Sequence, residues 1–504
     1  MKRHNVGVFR RSVHLGFLVS LFCTGGLAQT NDPIPKAADV PHLYRVEVVA
    51  QNLATPWALD FFPDGRLFFT ERFGQIRVIQ QGQLRDVPAL RLTNIAVGVK
   101  MGLLGLAHDP GFATNHFVYS AQNYPSGERF ALRVVRYRES RNQLIEPRTI
   151  IEGIPAWLNH TGGRLRFGPD GMLYITTGDA DRPTDSQRLD SLAGKILRLR
   201  PDGSIPPDNP FIGQTKARPE IWSYGHRNPQ GIDFHPTLPL VMATEHGPDH
   251  GDEVNVITRG ANYGWPRIHH RLAEAGLRSP ALEFTPAIAP ASGIFYRGNA
   301  FPKLKGDFLV GCLRGEGILR VQLDGTNILG AERFFHRLYA RIRDVAESPE
   351  GYIYFTTSMH DPPEGQPRPG YDMILRIVPL DAPTSGYPLA TNLLLSTSEQ
   401  LPAFDPSSTN TAMLVPLFCQ PCHGPKLEGG MQASLVDAVW TQVKNDQEMF
   451  RFISEGNANL GMPAFKNSLS ETQIRALMNY IRVEEENPRA NPVIKPATGP
   501  SEFE

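Results

Sequence analysis

The 504-residue sequence predicts an all-β six-bladed β-propeller followed by a small all-α domain, and three observations carry the prediction. A turn built from proline, an acidic residue and glycine recurs ahead of β-rich runs. Gly (46) and Pro (44) make up close to a fifth of the chain, a level that suits short strands joined by turns rather than long helices. After about residue 410 the strand pattern gives way to a CxxCH motif and a segment of helical period.

Residues 1–28 read as an export signal: basic Lys2, Arg3, Arg10 and Arg11, a short apolar run from Leu15 to Phe22, and a small-residue cleavage site at Gly26-Leu27-Ala28. The apolar run is short for a bilayer span, and no later stretch reaches the length required, so no integral membrane segment is expected in the mature chain. With the haem motif below, the signal points to a periplasmic or secreted protein.

Residues 40–380 carry the repeat. Pro63-Asp64-Gly65 precedes Arg66–Thr70, Pro169-Asp170-Gly171 precedes Met172–Thr177, and Pro349-Glu350-Gly351 is a third copy. Looser copies stand at Asp109-Pro110-Gly111, His235-Pro236 and Phe301-Pro302. Six copies spaced about 47 to 67 residues apart match one four-stranded blade each, with variable loops. Radial closure lets every sheet bury both faces against its neighbours. Residues 381–409, rich in Ser, Thr and Pro, read as a tether, and 487–504 as a disordered tail.

In the 410–486 segment, Cys419-Gln420-Pro421-Cys422-His423 is the attachment signature of c-type haem. The two thiols bond the haem vinyl groups and His423 becomes an axial iron ligand. Met462, in Leu460-Gly461-Met462-Pro463, is the expected second ligand, with Met431, Met449 and Met478 as competitors. Ser470 and Gln473 form a capping box, with Leu469 and Ile474 as its hydrophobic staple, so a helix begins near Ser470. Ile474, Leu477, Met478 and Ile481 line one face of it. The segment resembles a class I cytochrome c domain.

Basic and acidic side chains balance at 51 each, which leaves no global field to gather nucleic acid. With Cys23 in the signal and Cys419 and Cys422 on haem, Cys312 stands alone, in a run that reads as a buried strand.

Several motifs sit on the propeller: Asn159-His160-Thr161-Gly162-Gly163-Arg164, Gly225-His226-Arg227-Asn228-Pro229, Thr244-Glu245-His246-Gly247-Pro248-Asp249, and Arg341-Ile342-Arg343-Asp344. Trp57 and Gly102–Leu106 add a frame. In this order and spacing, from about Leu53 to Val378, the chain resembles the soluble pyrroloquinoline quinone (PQQ) dependent glucose/aldose sugar dehydrogenases, the glucose/sorbosone dehydrogenase family.

The resemblance implies a catalytic base at His160, which takes the proton of the anomeric hydroxyl while hydride leaves C1 for the quinone. An imidazole, with an unperturbed pKa of about 6.5, suits that task. It implies PQQ binding by Arg227 and Asn228, with Arg227 also stabilising charge on the reduced quinone. It implies carboxylate contacts by Arg341 and Arg343, a further basic contact from Arg314, and calcium held by the backbone carbonyls of Gly247 and Pro248. Asp249, Asp252 and Glu253 are read as turn acids. Lys100, two residues before Gly102, stands where the family tends to have Gln or Glu, and Asn159 where some members have Asp. The expected partners are a sugar and a downstream cytochrome or oxidase. The other class of function the fold accommodates is a non-redox calcium-dependent propeller, a lactonase-like hydrolase or a carbohydrate-binding module; the CxxCH argues against it.

Overall fold

Six strands, Pro56–Phe61, Leu103–His108, Gly162–Phe167, Pro229–Phe234, Pro290–Phe295 and Arg341–Glu347, each open an antiparallel sheet of four strands, the first sheet gaining a short fifth. Each opening strand packs against the one before and the one after, the last against the first, so together they close a ring around a central axis. This computed structural model describes residues 44–390 except 99, 249–250, 271, 336–337, 340 and 359–371. Beyond 390 it describes 411, 414–415, 419, 427, 435, 443, 445–456, 465–466 and 469–486.

All six predicted turns occupy the same place, between the opening strand of a sheet and the second strand. The repeat in the sequence therefore marks one end of the ring. The opening strands begin at the other end, and the loops after the second strands return there too. The second strands Leu67–Glu71, Leu173–Thr177, Phe308–Cys312 and Ile353–Ser358 are buried along their whole length. That explains why they read as unbroken apolar and threonine runs rather than alternating ones. Burial of each large apolar side chain contributes about 1.5–3 kcal/mol.

The ring closes through pairing of its ends: Tyr44–Ala50 lies antiparallel to Met373–Pro379 as the outer strand of the sixth sheet. Residues 381–390 then run along that outer strand, with the Val48 amide donating to the Pro388 carbonyl at 2.9 Å and Ala390 to Val46 at 2.8 Å. Carboxylates stitch adjacent opening strands. Asp60 accepts the His108 amide and Asp344 the Leu59 amide, both at 2.6 Å, and Asp233 accepts that of Phe295 at 2.7 Å.

Every opening strand has a register break near its start: Pro56/Ala58, Leu103/Leu106, Gly162/Leu165, Pro229/Gly231, Pro290/Gly293 and Ile342/Asp344. Such bulges re-aim side chains. Threonines of the second strands take up amides that the breaks release, Thr70 from Ala58 at 3.1 Å, and Thr176 from Arg164 and Thr356 from Asp344 at 3.0 Å. Thr70 passes its own proton to the Leu104 carbonyl of the next sheet at 2.7 Å.

In the C-terminal part, helices Asp446–Glu455 and Glu471–Glu486 pack against each other. The capping box is present: Ser470 N–H donates to Gln473 Oε1 at 2.9 Å and Gln473 N–H to Ser470 Oγ at 3.3 Å. Leu469, Ile474, Leu477, Met478 and Ile481 are buried with Met449 and Ile453 in one core, and Cys419 lies half-buried against it. Cys422, His423 and Met462 lie outside the described residues. Among the described residues no helix is long and apolar enough to cross a membrane.

Candidate active site

At the end of the ring where the opening strands begin, all six sheets or the loops leading into them line a cavity of about 220 Å³. His160, Arg227, Asn228, Gly247, Arg314, Arg341 and Arg343 all line it, as does Lys100. Pro248 lies beside Gly247 in a small adjoining recess.

His160 precedes its strand in the left-handed backbone region, at φ 52°. Its Nδ1 lies 2.8 Å from Asp179 Oδ1 and 3.1 Å from Asp181 Oδ1. Asp179 is fully buried, and its other oxygen accepts the indole proton of Trp265 at 2.8 Å. Carboxylates on Nδ1 set the tautomer whose Nε2 is the basic nitrogen. Two glycines make this approach possible. A Cβ on Gly178 would sit 1.9 Å from the His160 carbonyl oxygen, and one on Gly162, at φ 63°, 2.6 Å from that of Thr176.

The loop carrying Asp179 is fixed from beneath. Lys195, fully buried, donates through Nζ to the carbonyls of Asp185, Ser186 and Ala193 at 2.5–3.0 Å. Gln187 donates to the Trp265 carbonyl at 2.7 Å, so the loop also holds the tryptophan that holds Asp179.

Arg227 donates its amide to Glu245 Oε1 and its Nη1 to the His246 carbonyl at 3.1 Å, while its guanidinium lies 5.3 Å over the Trp265 ring. Its Nε is buried without a partner. Burial pulls the guanidinium below its usual pKa, against the opposing field of Asp179 and Glu245. Behind it, His226 joins Glu245 at 2.9 Å and stacks on Tyr263 at 4.5 Å. Asn228 Oδ1 accepts from the Gly162 amide at 3.2 Å and from Gln230 Nε2 at 2.9 Å. Gln230 Oε1 accepts in turn from Arg343 at 2.9 Å.

Beneath them Arg164 lies 4.3 Å over the Trp57 ring and 3.3 Å from Asp344. Burial pulls its pKa down to about 10. His246 is half-buried, with its Nε2 buried and unpartnered, and burial together with Lys100, Arg343, Arg227 and His160 lowers its pKa well below the ordinary value. Asp252 is a loop clamp: Oδ1 accepts the Gly247 amide at 2.9 Å, and Oδ2 those of Ile288 at 2.8 Å and Ala289 at 2.6 Å. Its pKa is raised by burial against those three bonds. Cys312 is buried and its thiol pushed up to about 12 by desolvation, which makes it inert.

Asp179 and Trp265 are the residues that sequence reasoning missed; Gln230 and His246 stand in or beside its motifs but carried no role there. Gly178-Asp179-Ala180-Asp181 follows the Thr176-Thr177 end of a second strand, and every such loop returns to the His160 end. That placement was the available signal.

The cavity wall fits the groups that the resemblance implies. Among the described residues, Lys100, Arg227, Arg314, Arg341 and Arg343 face it with one lining carboxylate, Asp252, whose oxygens are already engaged. A buried, unpartnered Arg227 Nε beside so many cations suits a multiply charged anion, as the resemblance implies. Around Gly247 and Pro248 the oxygens of Asp252 are spent on amides, and Glu245 and Glu253 line the adjoining recess, so a hard cation there would find both backbone carbonyls and carboxylates within the same loop region.

Residues 53–364 match the glucose/sorbosone dehydrogenase family model. The chain belongs to that family. Residues 411–481 match the model of cytochrome c oxidase, cbb3-type, subunit III, so a cytochrome c domain follows the propeller. Aldose sugar dehydrogenase YliI of Escherichia coli is 32% identical over 360 residues, 68% of this chain and 95% of that protein. A Thermus thermophilus structure described as a glucose dehydrogenase is 41% identical and covers 66% of this chain and 100% of its own, with a TM-score of 0.61. The PQQ-bound aldose sugar dehydrogenase of Streptomyces coelicolor is 32% identical and covers 67% and 99%, with a TM-score of 0.59. Human hedgehog-interacting protein is 30% identical over 311 residues, 54% of this chain and 43% of its own.

Proposed function

We propose that this protein is a periplasmic PQQ-dependent aldose dehydrogenase whose C-terminal haem c receives the electrons. The observation that carries the reading is a base, His160, fixed by the buried Asp179 carboxylate at the edge of a cationic cavity.

Bound PQQ supplies a quinone carbonyl that accepts hydride from C1 of the sugar. Arg227, Arg314, Arg341 and Arg343 would hold its carboxylates and oxygens, with Asn228 positioned by Gly162 and Gln230. Gly247 and Pro248 would offer carbonyls to a calcium ion, on a loop held in place by Asp252. His160 Nε2 takes the proton of the anomeric hydroxyl, and Asp179 stabilises the imidazolium that results. Cys419 and Cys422 would carry the haem, with His423 and Met462 as iron ligands. Export by residues 1–28 fits that haem chemistry.

The non-redox reading keeps its interest because a protein named for its interaction with hedgehog is 30% identical to this chain over 311 residues. One experiment separates the two. Purified protein loaded with PQQ and calcium is offered a panel of aldoses while the haem absorbance is followed. Haem reduction by at least one aldose, dependent on PQQ, supports the dehydrogenase; no reduction by any sugar, with PQQ failing to bind, supports the alternative.

A further inference from the structure

Three large apolar side chains stand exposed beside the cavity mouth: Phe73 (49%), Val97 (42%) and Leu158 (41%). The segments that carry them adjoin. A Cβ on Gly98 would lie 3.8 Å from Leu158 Cδ2, and one on Gly74 2.9 Å from Ile95 Cδ1. Arg72 stacks on Phe73 at 5.5 Å, and its carbonyl accepts the Leu103 amide at 2.9 Å. Thr161 donates to the Lys100 carbonyl at 3.3 Å. Residues 72–74, 95–98, 100–101 and 157–161 thus form one rim, whose inner edge is Lys100 and His160 at the cavity.

We propose that this rim is the docking surface for the chain's own haem domain, residues 411–486, an inference that rests on the quinone-to-haem reading above. Exposed apolar side chains gathered at one functional mouth mark an interaction site, whereas isolated ones need no explanation. Access decides which mouth. Arg164 and Asp344 stand between this cavity and the larger one at the turn end of the axis, so a haem edge approaches the quinone most closely from the rim. The tether is long enough. The described propeller chain ends at Ala390, hydrogen-bonded to Val46 in the outer strand of the sixth blade, which adjoins the first blade, where Phe73 stands.

The twenty residues 391–410 extend to at most about 70 Å, and as a flexible chain span roughly 25 Å. The tether starts on the blade next to the one that carries Phe73, so it need not cross the ring. Charge favours the same pairing: residues 411–486 carry nine Asp and Glu against six Lys and Arg, and the mouth presents Lys100 and exposed Arg314.

Reoxidation then balances as two successive one-electron transfers from the reduced quinone to ferric haem, each releasing a proton. Between them the ferrous haem gives its electron to an external one-electron acceptor, a soluble cytochrome or an oxidase.

The test does not depend on sugar oxidation. Val97→Cys is made in the full haem-loaded chain and labelled with a benzophenone maleimide; buried Cys312 does not compete for the reagent. Equal amounts of ¹⁴N and ¹⁵N protein are mixed, irradiated and mapped by mass spectrometry. The proposal expects cross-links from position 97 into 411–486 of the same isotope. Links only between isotopes would assign the rim to a second copy, and links that avoid 411–486 would assign it to another partner; either overturns the proposal. In a second arm, Phe73→Glu/Leu158→Ser should slow sugar-driven haem reduction at least tenfold while turnover with a small soluble dye stays within twofold. Equal haem reduction rates in variant and parent would also overturn it. A protein that reduces neither dye nor haem, yet cross-links as expected, would count against the dehydrogenase reading and leave the docking intact.

Discussion

Asp179→Asn is the most informative single change, because it alters one proton and almost no volume. Asp179 Oδ1 faces His160 Nδ1 at 2.8 Å and Oδ2 faces the Trp265 indole at 2.8 Å. An amide keeps one acceptor. If its oxygen stays with Trp265, its NH2 meets Nδ1, which must then accept, and the ring proton moves to Nε2, where the base is needed. If the oxygen turns to His160, the indole N–H loses its acceptor. A hydrogen bond to a charged group is worth about 1.5–3 kcal/mol, and general-base catalysis about 10²–10⁴-fold.

Asp181 at 3.1 Å from Nδ1 offers a partial substitute, which places Asp179→Asn near 10²-fold in kcat, or about 2.7 kcal/mol. The double variant with Asp181→Asn should approach 10³–10⁴-fold. The assay is pre-steady-state dye reduction against pH, with PQQ affinity measured in parallel. The variant should lose kcat with little change in PQQ binding. Wild-type kcat and an unchanged pH profile would refute the view that Asp179 sets the state of His160.

Gly178→Ala places a Cβ 1.9 Å from the His160 carbonyl, a backbone atom that cannot swing aside, so kcat should fall at least 10²-fold even where circular dichroism shows a folded propeller. Lys195→Met strands three carbonyls and should cost about 3 kcal/mol of stability by urea titration, with proteolysis beginning in 185–193. His108 gives a pH signature: burial disfavours its charge, but Asp60 at 3.0 Å prevails and raises its pKa above 6.5. A raised folded-state pKa means that the stabilisation is full below about pH 6.5 and is lost as pH rises through the folded value. The gap in Tm between parent and Asp60→Asn should therefore narrow from pH 6 to pH 8.5, and a constant gap would contradict the pairing.

The features legible in the sequence were the local ones. Six turns betrayed six blades because each joins the first two strands of its sheet, where proline and glycine are required in a short reversal. The capping box at Ser470 and Gln473 was readable for the same reason. His160 stood out through Gly162 and Gly163. Asp179 did not, because an aspartate after glycine at a strand end reads as an ordinary turn residue, and its role depends on Trp265, 86 positions away. Closure by Tyr44–Ala50 against Met373–Pro379, and the bulges at the start of every opening strand, arise from pairing across the ring and leave no trace in any one segment. Arg341 and Arg343 both line the cavity, Arg343 from the register break of its strand rather than by simple alternation, whereas the buried Arg164 between Trp57 and Asp344 reads in sequence as one more residue of its motif.

Passage of sugar electrons from the propeller to the haem of the same chain can be followed by anaerobic rapid mixing of the PQQ- and calcium-loaded protein with an aldose while the ferrous haem band is recorded. Full haem reduction is expected in a first-order phase whose rate is unchanged over a tenfold range of protein concentration. A protein that oxidises the sugar with a soluble dye but leaves its haem ferric would contradict it.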